Sequence, residues 1–289
     1  MIRQAVLLPT GGECGDPRFV VELGERAEAA GWAGAFLEDY VCYQGAAAEP
    51  TCDPWAVLAA LAVRTRTIRL GTLVTPLARR RPWIVARQAA AVDQLSEGRM
   101  ILGVGLGDVG DSVVTDASFV RFGEELEARR RAELLDEALE IVAGLWSGKP
   151  FSFSGEHFRL EEVTFLPKPV QEPRIPIWVG GGFPTRRPLE RAARWDGSCL
   201  YRETHGGPWE DMSPDDVRVL RSFVLERRGT LAGYDVCVGG VGRRPDWEAE
   251  RELIASLADA GATWWGEWLP PHDRAEMRAA VDRGPLSLA

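Results

Sequence analysis

The stretch IRLGTLVTPLARRRPWIVARQAAAVDQLSEGRMILGVGLGD, residues 68–108, indicates how the whole chain is built. It begins with branched apolar residues up to Val74 and ends near a second apolar run, Met100–Val104. Between these runs, apolar residues recur at the three- and four-residue spacing of an amphipathic helix. Neighbouring parallel strands need such a crossover, because a short turn cannot join their ends. The stretch therefore predicts a strand, a helix and a second, parallel strand.

The rest of the chain repeats this alternation. Asp16-Pro17 and Asp53-Pro54 predict helix starts, because an Asp cap followed by a first-turn proline suits the unpaired N–H groups there. The segment 109–128 has no clear period, and a hairpin is predicted around Ser154-Gly155. We count eight strands, at residues 5–8, 34–37, 68–74, 100–104, 177–179, 198–200, 236–241 and 263–265. This pattern predicts a single α/β domain over residues 1–289, a (β/α)8 TIM barrel with insertions after strand 4 and before strand 5.

Composition narrows the class of function. The net charge of −9 and the pI near 5.1 argue against nucleic-acid or anionic-membrane binding, since both need a basic surface. Five cysteines without CxxC spacing predict neither a disulfide framework nor a metal site. No stretch reaches the roughly 18 apolar residues of a membrane span. We expect a cytoplasmic protein.

Acidic residues directly follow two of the predicted strands. Glu38 and Asp39, with Tyr40 next to them, follow the second strand, and Asp108 follows the fourth. TIM-barrel enzymes place their chemistry at the carboxyl ends of the strands, so these are candidate functional residues. Helix caps or ion pairs on solvated loops explain the same residues equally well.

Glycines mark two further strand ends. Gly105 and Gly107 would leave room for a flat ring beside the fourth strand. The segment VGGGFPT, residues 179–185, places three glycines between a strand and a helix, where bare N–H groups can bind a phosphate. A tight turn is the commoner role of such a run.

Arginines and tryptophans supply two more candidate features. The run Arg79–Arg81 would suit an anionic cofactor tail, although a solvated loop is the commoner fate of such a run. Trp264, Trp265 and Trp268 could line an apolar pocket together with Tyr201, or fill the barrel.

Three motifs carry a resemblance to a known family. GTLVTP at 71–76, LSEGR at 95–99 and ILGVGLGD at 101–108 resemble the bacterial luciferase-like family of flavin- or deazaflavin-dependent oxidoreductases, which are (β/α)8 barrels. The resemblance extends, with gaps, from Ala5 to about Trp268.

The resemblance implies where a cofactor would bind. Its phosphate would lie at the glycines 180–182, and its ring would lie against a bulge with a non-proline cis peptide near Leu73-Val74. The cofactor-binding residues are therefore predicted to be Glu38, Thr72, Leu73, Val74, Gly105, Gly107, Gly180, Gly181, Gly182 and Thr185.

The resemblance also implies catalytic residues. Asp39 and Asp108 match acids that the family often shows, whereas Tyr40 stands where the family has a histidine. A histidine base of the usual family kind is therefore not expected here, and a tyrosine with an ordinary pKa near 10 is a poor base at neutral pH. The predicted catalytic residues are Asp39, Tyr40 and Asp108.

These features predict a monooxygenase that uses reduced FMN and oxygen on a small organic substrate. Expected partners are that substrate, a separate flavin reductase and a second copy of the chain, with neither nucleic acid nor membrane. One alternative is hydride transfer by the deazaflavin coenzyme F420. Another is a flavin-binding protein without turnover, which the replacement of histidine by Tyr40 keeps open.

Overall fold

The computed structural model describes residues 2–43, 49–107, 109, 118–204, 210–271 and 273–288. Within these residues the strands are Arg3–Leu8 (β1), Gly34–Leu37 (β2), Arg69–Pro76 (β3), Met100–Gly105 (β4), Pro150–Ser154 (β5), Arg159–Thr164 (β6), Ile177–Phe183 (β7), Gly197–Arg202 (β8), Asp235–Gly239 (β9) and Trp264–Trp268 (β10). The helices are Pro17–Ala29 (α1), Pro54–Arg64 (α2), Pro82–Leu95 (α3), Ser118–Arg121 (α4), Ala128–Trp146 (α5), Arg186–Ala192 (α6), Pro214–Arg228 (α7), Trp247–Ala260 (α8) and Arg274–Asp282 (α9). Short 3-10 turns cover Gly12–Gly15 and Leu77–Arg79.

Eight of these strands close into a parallel barrel in the order β1-β2-β3-β4-β7-β8-β9-β10, with β10 paired to β1. The predicted (β/α)8 barrel is confirmed. Strands β5 and β6 form an antiparallel hairpin between α5 and β7, which is the predicted insertion before the fifth barrel strand. Helix α4 lies in the insertion after the fourth. Every helix of the described residues is too short or too polar to cross a membrane.

Local capping fixes where the helices start. The Asp16 side chain accepts a hydrogen bond from the Arg18 N–H, and Asp53 accepts one from the Ala56 N–H, each beside a first-turn proline. Ser213 and Asp216 form a reciprocal capping box at the start of α7. These predicted starts are confirmed.

Alternation along the strands sends every second side chain into the barrel. The interior cluster contains Ala5, Leu7, Phe36, Ile101, Trp178, Cys237 and Trp264. Its three aromatic rings pack against one another, with centroids 5.4 Å apart for Phe36 and Trp178, 5.7 Å for Phe36 and Trp264, and 5.5 Å for Trp178 and Trp264. The barrel is therefore a packed core, and functional groups are left to the carboxyl ends of its strands.

Two strands, β7 and β10, run at least three residues past their predicted carboxyl ends. Residues Gly180–Phe183 pair with Cys199–Arg202 of β8, so the three glycines belong to strand β7 and not to the loop after it. Glycine has a low strand propensity and therefore predicts the end of a strand. Here the hydrogen bonds supplied by the neighbouring strand outweigh that low propensity. Strand β10 likewise extends to Trp268 instead of ending at Trp265.

The extension of β10 corrects the predicted tryptophan pocket. Trp264 lies inside the barrel core, and Trp265 points the other way into a cluster with Leu220 and Leu257 of the outer helices. Only Trp268 of the three reaches the carboxyl end on the inward side, because inward positions recur every second residue.

Candidate functional site

Leu73 and Val74 form an apolar surface at the carboxyl end of β3, which we call the wall. The Leu73–Val74 peptide bond is cis without a proline, and the pairing register of β3 with β4 shifts between Thr72 and Thr75. The predicted cis peptide and bulge are confirmed. Leu73 and Val74 are partly exposed although the threonines on either side are buried, so the two apolar side chains face open space at the strand ends.

Glycines of the neighbouring strands let Val74 take this position. A Cβ at Gly105 would lie 2.8 Å from Val74 Cγ2, and a Cβ at Gly180 would lie 3.0 Å from Val74 Cγ1. A Cβ at Gly107 would lie 2.6 Å from the Phe119 ring. Val74 and Phe119 thus fill the space next to the Cα atoms of Gly105 and Gly107, and the role of these two glycines in binding a flat ring stays a prediction.

Thr72 is predicted to bind the cofactor, but its side chain has an internal partner. The hydroxyl is buried and donates to the Gly103 carbonyl at 2.8 Å, which ties β3 to β4 just before the wall. Thr72 therefore supports the wall from behind.

Asp39 follows β2, and its side chain points away from the barrel interior. Its carboxylate forms an ion pair with Arg80, accepts from Thr75 Oγ1 at 2.9 Å and from Trp55 Nε1 at 3.3 Å, and lies 3.5 Å from Arg79. Arg79 also donates to the Asp39 carbonyl at 2.6 Å. Both carboxylate oxygens are occupied, so the geometry favours a positioning role for Asp39 over that of a proton acceptor.

The same ion pairs decide the place of the arginine run. The Arg79 side chain is only 3% exposed and the Arg80 side chain 19% exposed. Asp39 pairs with both guanidinium groups, and Asp53 lies 4.0 Å from Arg80, so most of the charge of these two residues is balanced within the protein and adds little attraction for the anionic tail of a coenzyme. Arg81, the third arginine of the run, is exposed.

Glu38 lies one residue before Asp39 and points the opposite way. Gly34 and Phe36 of β2 face the barrel interior, so the alternation continues inward at Glu38. The Glu38 Oε2 atom is buried, and no described residue meets hydrogen-bond geometry with it. Burial raises the pKa of this carboxyl from 4.5 to about 7, although the nearby Trp268 indole and the Thr10 backbone N–H lower it.

Three more buried polar atoms near Glu38 have no hydrogen-bond partner among the described residues, namely Thr10 Oγ1, the Tyr43 hydroxyl and Trp268 Nε1. Tyr43 is held in place by packing, because a Cβ at Gly11 would lie only 1.7 Å from the Tyr43 ring. We call Thr10, Glu38, Tyr43 and Trp268 the Glu38 cluster. Buried polar atoms normally have partners, so four such atoms together indicate a binding place for a polar ligand.

Tyr40 stands at the edge of this cluster. Its ring packs edge-to-face on Tyr43, with centroids 5.8 Å apart. Sequence reasoning missed Thr10 and Tyr43 as site residues. Tyr43 lies in a loop with no periodic pattern. Trp268 could have been predicted, because every second residue of β10, counted from Trp264, points into the barrel.

The predicted phosphate-binding glycines are packed closely. Gly181 has φ +159°, and a Cβ there would lie 2.8 Å from Pro188. A Cβ at Gly182 would lie 2.6 Å from the Glu203 carboxylate, which also accepts a hydrogen bond from Thr185 Oγ1 at 2.9 Å. A carboxylate at this place disfavours an anion, and the phosphate role of Gly180, Gly181, Gly182 and Thr185 stays a prediction.

A second polar cluster lies away from the strand ends, where α5 meets the hairpin. Ligand atoms of Glu133, Glu156 and His157 lie within 4.8 Å of one another, which would suit a metal ion. Glu133 already forms an ion pair with Arg129 at 3.0 Å, and His157 Nε2 lies 3.3 Å from Glu133. These contacts explain why the three side chains lie together without a metal ion.

Asp108, the third predicted catalytic residue, lies outside the described residues, as do residues 110–117 of the segment 109–128 that has no clear period. Their predicted roles remain predictions.

Comparison with known proteins adds sequence evidence to this geometry. Residues 1–195 match the model of a family described as luciferase-like monooxygenase. The chain is 31% identical over 172 residues to the F420-dependent glucose-6-phosphate dehydrogenase of Microbacterium testaceum, an alignment that covers 58% of this chain and 48% of that protein. The chain thus spans about half the length of the curated relatives it matches.

Among the solved structures that share the fold over nearly the whole chain are two with different named activities. One is a monooxygenase from Streptomyces bottropensis, with a TM-score of 0.74, 20% identity and coverage of 97% of this chain and 96% of that chain. The other is the coenzyme F420-dependent tetrahydromethanopterin reductase of Methanopyrus kandleri, with a TM-score of 0.71, 18% identity and coverage of 98% and 97%. At these identities the likeness shows the fold alone.

Proposed function

Because the chain belongs to the luciferase-like monooxygenase family and is a luciferase-like oxidoreductase, we propose that it transfers a hydride between the deazaflavin coenzyme F420 and a small organic substrate. The choice of coenzyme rests on one observation, that the curated relatives are named as F420-dependent. This places the deazaflavin alternative ahead of the FMN-dependent monooxygenase that the sequence first favours.

The structure offers surfaces that fit such a coenzyme. Leu73 and Val74 present an apolar wall against which a flat ring can lie, and the Glu38 cluster presents buried polar atoms in need of partners. Bound F420 would supply the hydride acceptor or donor. The chain's own residues would exclude water at the wall and hold the substrate beside it.

The monooxygenase alternative is supported by fold neighbours that are named as monooxygenases. The fold neighbour from Streptomyces bottropensis is a monooxygenase, but 20% identity supports only the shared barrel. The arginine run gives little support to either coenzyme, because Arg79 and Arg80 form ion pairs with Asp39, Asp53 lies 4.0 Å from Arg80, and only Arg81 of the run is exposed. The wall of Leu73 and Val74 suits either ring.

A binding titration tests the proposal. The purified protein is titrated with F420 and separately with FMN while the coenzyme's visible absorbance and fluorescence are followed. We expect a Kd for F420 at least about tenfold below that for FMN, a difference of about 1.4 kcal/mol. The reverse order would overturn the proposal in favour of the FMN-dependent reaction.

A further inference from the structure

We propose that the Glu38 cluster binds the hydroxyl or carbonyl oxygen of an uncharged substrate and that Glu38 is the residue that holds the proton there. The inference deepens the proposed function, on which it rests, by naming the substrate class and the proton-holding group. It assigns this role to Glu38 and not to the neighbouring Asp39.

The first argument is the direction of the two carboxylates. Asp39 points outward, where Thr75, Trp55 and Arg80 use its oxygens. Glu38 points inward, and its Oε2 atom has no hydrogen-bond partner in the described part of the chain. A carboxyl that exchanges a proton with a ligand must keep an oxygen available, which Glu38 does and Asp39 does not.

The second argument is that the cluster can satisfy one oxygen atom. The Tyr43 hydroxyl and Trp268 Nε1 are donors, the Thr10 hydroxyl can donate or accept, and a protonated Glu38 donates whereas an ionised one accepts. All four atoms are buried and have no hydrogen-bond partner among the described residues. A ligand oxygen that binds them therefore adds hydrogen bonds that these atoms lack in the free protein. A hydroxyl or carbonyl oxygen matches this set of donors and acceptors.

The third argument concerns charge. Among the described residues, the titratable groups whose charges interact with Glu38 are the Cys14 thiol and the Tyr43 phenol, and both have raised pKa values, to about 12 for Cys14, chiefly because of burial. Arg274, whose charge acts on Cys14, forms ion pairs with Glu13 and Asp16, and Arg79 and Arg80 pair with the neighbouring Asp39. An anionic substrate group would meet no uncompensated positive charge among these residues, so the cluster favours an uncharged ligand.

The fourth argument is that Glu38 can change its protonation at physiological pH. Burial raises its pKa to about 7, and no arginine counteracts that shift. Below this pH the carboxyl donates a hydrogen bond to a carbonyl oxygen, and above it the carboxylate accepts one from a hydroxyl. Affinity for a ketone is therefore expected to fall as the pH rises, and affinity for an alcohol to hold or increase.

The test uses cyclohexanone, cyclohexanol and glucose 6-phosphate as probes, with binding followed by ligand-observed NMR on the full chain without coenzyme. With a pKa of about 7, the protonated fraction of Glu38 falls about tenfold between pH 6 and pH 8, so cyclohexanone affinity should fall about tenfold. Glu38→Gln keeps a donor at all pH values, so its affinity should change less than about twofold over that range. Glu49→Gln, an exposed acid near Tyr43, should behave like the parent chain.

Three outcomes overturn the inference. They are the same pH dependence in Glu38→Gln as in the parent chain, no detectable binding of either uncharged probe, and tighter binding of glucose 6-phosphate than of cyclohexanol. If Glu38→Gln fails to fold, Tyr43→Phe serves instead, because loss of the hydroxyl should weaken both uncharged probes and leave the pH dependence intact.

The measurement also separates this inference from the proposed function. Coenzyme is absent, so failure of F420 to bind would leave the probe results untouched. Tight F420 binding without pH-dependent cyclohexanone binding would overturn the role of Glu38 alone.

Discussion

Replacing Glu38 by Gln should stabilise the protein, and the gain should increase as the pH rises from 5 to 7. In the unfolded chain this carboxyl ionises near its ordinary pKa of 4.5, whereas burial holds the folded pKa at about 7. Between these values the folded state binds more protons than the unfolded state, so stability falls as the pH rises and the penalty becomes constant above pH 7. Because each tenfold change in an ionisation constant is worth about 1.4 kcal/mol, the full penalty is about 3 kcal/mol.

Glutamine has a similar shape and cannot ionise, so Glu38→Gln removes this penalty. The free energy of unfolding is measured by urea denaturation of both proteins at pH 5, 6, 7 and 8. We expect a gain for the variant of about 1 kcal/mol at pH 5 that rises to about 3 kcal/mol at pH 7 and pH 8.

Subtracting the parent chain from the variant cancels the pH dependence of every other group. Glu49→Gln provides a matched control, because Glu49 is an exposed acid on the same side of the barrel. A difference that does not change with pH, or a variant that loses stability most at pH 8, would refute the view of Glu38 as a buried carboxyl without a compensating charge.

Two further predictions concern the supports of the site. Asp39→Asn should lower the free energy of unfolding by about 3–5 kcal/mol, because it leaves Arg79 and Arg80 buried without their counter-ion; an unchanged urea midpoint with lost turnover would restore Asp39 as a catalytic residue. Gly180→Val should weaken F420 binding about tenfold in the titration above, because its Cβ would lie 3.0 Å from Val74 Cγ1 and displace the wall. Gly242→Ala is its control, since that Cβ would make ordinary contacts from 3.4 Å, and equal affinities in both variants would contradict the role of the wall.

Much of the fold could be predicted because local rules and the global topology agree. The Asp-Pro pairs at residues 16–17 and 53–54 cap helices in the structure as they do in the sequence pattern. The ends of the strands were harder to predict. Glycine lowers local strand propensity, but the glycines of β7 are held in the sheet by pairing with β8, which no local pattern indicates. The cis peptide at Leu73–Val74 could be expected only from the family resemblance, since no local pattern of residue types indicates it.

The candidate site was predicted less completely, for a different reason. Residue type and position after a strand mark Glu38 and Asp39 equally, but the two side chains diverge because alternation sends neighbours to opposite faces. Counting every second residue from Phe36, whose side chain points inward, would have predicted that Glu38 points inward and Asp39 outward. Tyr43 could not be found in this way, because it reaches the cluster from a loop and packs over Gly11 through contacts that only the folded chain reveals.

The divergence of these two carboxylates assigns them different physical tasks. Asp39 lies among two arginines, a threonine and an indole, where its charge is fully compensated and can hold the loop after β3 in place. Glu38 lies one residue away among polar atoms without partners, in an environment that destabilises its charge. A fold that only needed stability would have an apolar residue at that position, because a buried carboxyl without a compensating cation is costly. Retaining this acid is what we expect where a proton must be held beside a ligand, since functional sites are the places where proteins depart from the rules that stabilise them.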